Sequence, residues 1–226
     1  MLRRVTAVIS LRPPSERRPL YGPTRGSQGR LDVRLSPVPL LGSADRLPRS
    51  PRRVLVGGTS GAGKTTLAAT IADVLGCPRI ELDALHHGPG WIPRPEFAAD
   101  VVRFIAGSTW VTEFQYDAVR DLLLERADLF VWLDLPRPVV MRSVVRRTLD
   151  RRLRREELWN GNQEPPLRTF LTDSDHIVRW AWRMYAPDRV RFAAVADARP
   201  DLPVVRLTSR TEAARWVAGP LRGAAG

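Results

Sequence analysis

The run Gly58-Thr59-Ser60-Gly61-Ala62-Gly63-Lys64-Thr65 constrains this chain more than any other segment. It is a complete G-x-x-x-x-G-K-S/T phosphate-binding loop, a motif that works only between a strand and a helix. Both flanks comply. Arg53-Val54-Leu55-Val56-Gly57 is the short, apolar, β-branched run of a buried parallel strand. Downstream, Leu67, Ile71, Val74 and Leu75 recur at helical spacing, and Gly76 ahead of Pro78 marks the stop. The glycines let the backbone curl so that Gly58 through Lys64 present N–H groups to phosphate oxygens, and the helix N-terminus adds partial positive charge. Of 36 Lys and Arg residues, Lys64 is the only lysine. A slim ammonium reaches the β- and γ-phosphates where a planar guanidinium is too broad. Thr65 supplies the hydroxyl expected on Mg²⁺, and Thr66 is placed for the α-phosphate. These residues imply binding of a nucleoside triphosphate.

Charge divides the chain unevenly. Residues 1–53 carry 12 arginines against Glu16, Asp32 and Asp45, so +9 of the net +12 lies there, together with 8 of the 20 prolines. No sustained apolar periodicity accompanies them, and such a segment cannot offset its ordering entropy. Residues 1–50 are therefore expected to be disordered, and residues 51–222 to form one domain. Val5–Leu11 is too short and poorly flanked for a signal peptide, and no run of the sequence is long and apolar enough for a membrane span. The single cysteine, Cys77, excludes an internal disulfide and fits a reducing cytoplasm.

From residue 53 onward strand-like runs alternate with helical patterns, the mark of a parallel sheet covered on both faces. Strands are expected at Arg53–Gly57, Arg79–Leu82, Thr109–Thr112, Leu129–Leu133 and Pro203–Leu207, five in all, with helices around Glu96–Ala106, Asp117–Arg126, Pro138–Arg155, Asp173–Arg189 and Thr211–Val217. Ligands of such sheets gather at the carboxyl ends of the strands. Asp83, Glu113 and Asp134 then share a rim with the phosphate loop. Glu113 and Asp134 are candidates to orient Mg²⁺ near Thr65, through water. Asp83, beside His86, is placed for a phosphoryl acceptor. Adjacent residues point apart, so His86 and His87 read as a surface loop or a substrate contact rather than a metal pair.

Arg137–Arg155 holds eight arginines in 19 residues, with Arg142 and Arg146 four apart on one helix face. Arginines closing over a γ-phosphate are worth about 10³–10⁵ in rate. Because this helix starts at the ligand-bearing rim, Arg142 and Arg146 are candidates for the nucleotide, and most of the other arginines read as a solvated basic face.

With these segments in place the chain resembles the adenylate-kinase-like P-loop NTPases, and more narrowly the bacterial group known as topology modulation proteins (FlaR-like). The likeness runs from about Arg53 to Val217 and rests on GGTSGAGKTTLA, ELDALHHGPGW, WVTEFQY, LDLPRPVVMRSVVRRTLDR and ELWNGNQE. It implies a three-layer P-loop fold with a five-stranded parallel sheet and a small Arg-rich lid over residues 147–170. It further implies Arg142 against adenine, Arg146 against the phosphates, Arg151 as an extra phosphate contact from the lid, and Arg179 and Arg183 returning to the site. The family pattern Asp-Gly-Asn-Tyr stands here as Glu113-Phe114-Gln115-Tyr116, with Phe114 in space a glycine leaves open.

The expected activity is Mg²⁺-dependent transfer of the ATP γ-phosphate, in the cytoplasm, to a small acceptor near Asp83, His86 and Trp91, with Lys64, Asp83, Arg146 and Arg151 as the working groups. Two alternatives stand beside it. One is an ATP-dependent DNA-binding or topology-modulating regulator using the basic N-terminal segment. The other is an ATPase without an acceptor.

Overall fold

The computed structural model describes residues 40–154, 157–162 and 176–225. Met1–Arg34 and Leu35–Gly226 form separate units, and the first lies outside the described residues.

Six short strands, all parallel, make one sheet: β1 (Leu40–Leu41), β2 (Arg53–Gly58), β3 (Arg79–Ile80), β4 (Trp110–Glu113), β5 (Leu129–Leu133) and β6 (Val204–Leu207). Their order is β1-β6-β5-β2-β4-β3, which puts β2 at the centre between β4 and β5. Val56 pairs with Glu113 on one side and Val131 on the other, so the phosphate loop leaves the sheet where β4 and β5 also end. Alternation along each strand serves both layers. Val54, Val56, Val131 and Leu133 enter one core with Leu67 and Ile71 of α1 (Lys64–Leu75) and with Val140 and Val144 of α5 (Arg137–Arg154). Leu55, Phe130 and Trp132 enter the other, against Phe97 and Val101 of α3 (Phe97–Ile105) and Val119 and Leu123 of α4 (Asp117–Arg126).

The sheet has six strands where five are expected. Leu40–Leu41 pairs with Val204–Val205 at the sheet edge. A two-residue strand is too short to show periodicity, and it falls inside the stretch 1–50 that composition marks as unstructured. The second expected strand is also shorter than its apolar run. It stops at Ile80, and Leu82–His86 forms a short helix, α2, so Asp83 sits in that helix's first turn rather than at a strand end.

Residues 147–154 of the expected lid are the last turns of α5, residues 157–162 form a turn, and the rest lies outside the described residues. The next described helix, α6 (Ile177–Ala198), outruns its expected end at Arg189 despite Pro187 within it. Ala181 and Tyr185 join the α1 core, whereas Phe192 and Val195 join the α3–α4 core. The helix thus passes from one layer to the other. The chain closes with α7 (Arg210–Trp216), a π-turn over Val217–Leu221 and α8 (Arg222–Ala225).

Candidate functional site

The phosphate loop is shaped by two left-handed glycines. Gly61 has φ 87° and Gly63 φ 100°, conformations that L side chains rarely adopt. At Gly61 space adds a second demand: a Cβ there would lie on the Val144 methyl and 2.9 Å from the Val140 carbonyl oxygen. Helix α5 therefore buttresses the loop from behind. Helix α1 begins at Lys64 with Gly63 as its cap, no side-chain cap bond and no acid in its first turn. Its leading N–H groups are the orphan donors that suit an anion. Lys64 Nζ folds back to donate to the Thr59 carbonyl at 3.5 Å, a long contact that is easily exchanged for a ligand oxygen.

Glu113, the last residue of β4, is 5% exposed and accepts a hydrogen bond from Thr65 Oγ1 at 2.8 Å. Burial pushes its carboxyl above the usual range, while Lys64 and the Thr65 bond pull it back. A hydroxyl that donates to Glu113 turns its lone pairs away from it. That is the donor arrangement a hard, water-keeping cation requires, so Thr65 and Glu113 fit Mg²⁺. Asp134, the other candidate, directly follows β5 in a different environment. Arg189 grips it through Nε at 2.5 Å and Nη2 at 3.0 Å, and Arg206 adds a further Nε bond at 2.9 Å. Burial would raise its pKa, but the two guanidiniums hold it below the ordinary range. Asp134 is an arginine clamp.

Asp83 is organised for chemistry by its neighbours. Gln115 Nε2 donates to Oδ1 at 2.8 Å and the Tyr116 hydroxyl donates to the same oxygen at 2.5 Å, and Oδ2 has no hydrogen-bond partner among the described residues. Tyr116 has φ 62° and its hydroxyl lies 3.1 Å from His87 Nε2. Burial and the Asp83 charge drive the phenol pKa far upward, so it stays a donor. The His86 ring stacks on Tyr116 with centroids 4.1 Å apart. The two histidines do not point apart as expected: their Nδ1 atoms are 3.4 Å from each other, because His86 ends α2 and His87 caps it in an extended conformation. Among the described residues no cluster of three or more metal-ligating side chains occurs.

The turn at 157–162 is stitched to the loop bearing His87 and Trp91. Asn162 is 5% exposed; its Oδ1 accepts from the Trp91 N–H at 3.0 Å and its Nδ2 donates to the Gly88 carbonyl at 2.9 Å. Asn160 donates to the His87 carbonyl, and Trp159 Nε1 donates to Glu81 at 2.6 Å. Arg151 lies over the Trp159 ring at 6.0 Å. On α5, positions 140, 144, 147 and 151 share one stripe by helical spacing, and Val140 and Val144 of that stripe abut Gly61. Arg142 is exposed on another side, as is Arg146, whose side chain is 80% exposed and pairs with Asp150 at 4.0 Å. Arg183 lies over the Trp180 ring on α6, and Arg179 is on the same helix.

Sequence reasoning missed the middle of α6. Burial raises the pKa of Asp188, while Arg191, Lys64 and Arg120 pull it back, so Asp188 lies within electrostatic reach of Lys64. Arg120, whose side chain is 18% exposed, also lies 5.5 Å from the centre of the Phe114 ring. No periodicity announces this; only the fold brings Asp188 within electrostatic reach of Lys64.

No family model matches the chain, and no curated protein does. Among solved structures it is similar to a gluconokinase from Sinorhizobium meliloti 1021, at 22% identity over 78% of this chain and 95% of that one, with a TM-score of 0.45. A shikimate kinase from Bacteroides thetaiotaomicron matches at 16% identity over 74% and 95%, with a TM-score of 0.44. A sugar kinase from Janibacter sp. HTCC2649 matches at 22% over 80% and 91%, with a TM-score of 0.36. Overlaps this loose do not decide an activity. The narrower likeness to topology modulation proteins is carried by the sequence segments alone. Among the described residues no helix is long and apolar enough to cross a membrane.

Proposed function

We propose that this chain is a Mg²⁺-dependent P-loop kinase that moves the γ-phosphate of ATP to a hydroxyl of a small acceptor seated at Asp83. The observation that carries the reading is the Thr65–Glu113 hydrogen bond beside Lys64, with an oriented carboxylate, Asp83, near the same rim. The curled loop and the uncapped start of α1 bind the phosphates, and Lys64 exchanges its Thr59 contact for the β- and γ-oxygens. A bound Mg²⁺ would be held by Thr65, with Glu113 orienting one of its waters, and would neutralise phosphate charge. Asp83 Oδ2 takes the acceptor proton while Gln115 and Tyr116 fix Oδ1. The acceptor oxygen bonds to the γ-phosphorus as the bond to the β-phosphate oxygen breaks, releasing ADP. Lys64 supplies positive charge at the phosphates. The turn at 157–162, locked onto the His87–Trp91 loop, excludes water from that side.

The test is Mg-ATP binding and ADP release by the full chain, measured with and without a panel of sugars, hydroxy acids and nucleosides. Wild type is expected to bind Mg-ATP and to release ADP in step with one phosphorylated acceptor. Lys64→Ala is expected to lose nucleotide binding and turnover while keeping its circular dichroism. No binding by wild-type protein at millimolar nucleotide, or a Lys64→Ala variant as active as wild type, overturns the reading. ADP release indifferent to every acceptor makes the protein an ATPase instead. The basic segment that a nucleic-acid-binding regulator would use lies outside the described residues up to residue 39.

A further inference from the structure

A groove of about 510 Å³ opens between α6, β5, β6 and β1. That volume is within the roughly 300–1,000 Å³ range of small-molecule sites. Leu40, Trp132, Phe192, Ala193 and Val204 give it mainly carbon walls, and Leu40 is itself half-exposed. Arg189 and Arg206 complete the lining. Both guanidiniums share the single carboxylate of Asp134, so the pair retains one positive charge. Arg189 is further engaged by the Tyr185 hydroxyl. Arg206 is not: it uses Nε and Nη2 on Asp134, stands 5.0 Å from the centre of the Trp132 ring, and has no acceptor for Nη1 among the described residues. The next acid within electrostatic reach, Glu212, is not among the lining residues and is engaged by the Thr208 N–H and hydroxyl.

We infer that this groove binds a small apolar monoanion of the carboxylate class, its charged head on Arg206 and its hydrocarbon body along Leu40, Phe192, Ala193 and Val204. Two features of the groove select that chemistry. Carbon walls favour desolvated hydrocarbon. A guanidinium already oriented by Asp134 and Trp132, with Nη1 unengaged among the described residues, favours one carboxylate and disfavours a neutral head. A second carboxylate would meet the buried charge of Asp134. The site is separate from the phosphate loop, so it stands whether or not the kinase reading does.

Decanoate, below its micellar concentration, is the probe, titrated by calorimetry into the full chain. Saturable one-to-one binding is expected. Arg206→Met keeps the stem over Trp132 and leaves Asp134 paired with Arg189; it should weaken decanoate about tenfold or more, the scale of a lost charge-assisted bond. Ala193→Trp, on the exposed side of α6, should fill the groove and abolish binding, and decanol should bind at least about tenfold more weakly than decanoate. Lys64→Ala should leave the titration unchanged. Absence of saturable binding by wild type overturns the proposal, as does unchanged affinity in folded Ala193→Trp. Equal binding of decanoate and decanol, or an Arg206→Met variant of wild-type affinity, overturns the assignment of the head group.

Discussion

At the carboxyl ends of the two strands beside β2 stand carboxylates that look interchangeable in the sequence and are opposite in the fold. On the β4 flank, Glu113 is buried with one hydroxyl and the pull of Lys64, and its pKa is raised. On the β5 flank, Asp134 is buried with two guanidiniums, and its pKa is lowered. An acid at the carboxyl rim of a parallel sheet is therefore not a ligand by position alone. The under-neutralised carboxylate has charge left for an incoming cation, and the clamped one serves the scaffold, tying α6 and β6 to the end of β5. The same contrast divides α6, where Asp188 senses Lys64 and its neighbour Arg189 grips Asp134.

Neutralising the clamped acid tests the scaffold half of this contrast and has the largest expected effect on stability. Asp134→Asn leaves two arginines without their counter-charge. Removing one partner of a buried pair costs about 3–5 kcal/mol, and solvent access to both guanidiniums lowers that to about 2–3 kcal/mol here. Denaturant unfolding should show this loss at neutral pH, with Mg-ATP affinity of the folded variant unchanged. The sign with pH is fixed by linkage. Asp134 binds fewer protons folded than unfolded, so its contribution is present above the ordinary carboxylate pKa and fades as pH falls through the lowered value. The deficit of the variant should shrink in acid. A loss of nucleotide binding with unchanged stability would reverse the roles of the two flanks.

Glu113→Gln probes the other half, and its effects divide. Turnover should fall about 10- to 100-fold, the range for a group that orients a metal's own ligands. Stability should rise by roughly 1 kcal/mol at neutral pH, because a desolvated charge is gone while the amide oxygen still accepts from Thr65. A folded state that keeps the Glu113 proton longer than the unfolded chain loses stability as pH climbs from the ordinary carboxylate pKa to the raised one. The advantage of the variant therefore grows across that window, is flat above it, and vanishes in acid. Thermal melts at several pH values read it directly. A destabilised Glu113→Gln would mean that the carboxylate is structural, like Asp134.

Much of this frame was legible before any coordinates. The phosphate loop, α1, β5, α4 and most of α5 follow from apolar period and glycine placement, because buried parallel strands and amphipathic helices leave local signatures. The divergence of Glu113 and Asp134 left none, since Arg189 and Arg206 lie 55 and 72 residues beyond the acid they clamp. Edge strand β1 is two residues long and sits in a proline- and arginine-rich stretch. Tyr116 at φ 62° could not be anticipated from a residue type that avoids that region, yet this conformation accompanies its hydrogen bond to Asp83. Asn162 was hidden for another reason: a buried amide bridging two loops is a property of their meeting, not of either loop.

That bridge extends the contrast to the acceptor side, at a smaller scale. Asn162→Ala removes two-way hydrogen bonding to the Gly88–Trp91 loop, a change of about 1–2 kcal/mol. If the turn and the loop close as one piece, KM for the acceptor should rise about tenfold, with Mg-ATP affinity and kcat little altered. Equal loss in nucleotide affinity would show that the turn serves the phosphate loop instead.

The smallest expected effect belongs to an arginine that both helical spacing and the family resemblance single out. Arg146 is two residues from Val144, whose methyl abuts Gly61, and that offset turns its side chain to another side of α5. Its contact with Asp150 is long and exposed, the kind worth about 0.3–0.5 kcal/mol. Arg151 instead shares the stripe of Val140 and Val144 and lies over Trp159. Arg146→Ala should change kcat/KM by less than about twofold, which corresponds to under about 0.4 kcal/mol, while Arg151→Ala lowers it several-fold. If Arg146→Ala proves the more damaging, α5 must rotate about its axis when nucleotide binds. Val140 and Val144 would then leave Gly61, and a Gly61→Ala variant, overpacked in the ligand-free state, would regain binding at saturating Mg-ATP. With α5 fixed, that variant stays defective at every nucleotide concentration, so the two substitutions together decide whether the buttress behind the phosphate loop is static.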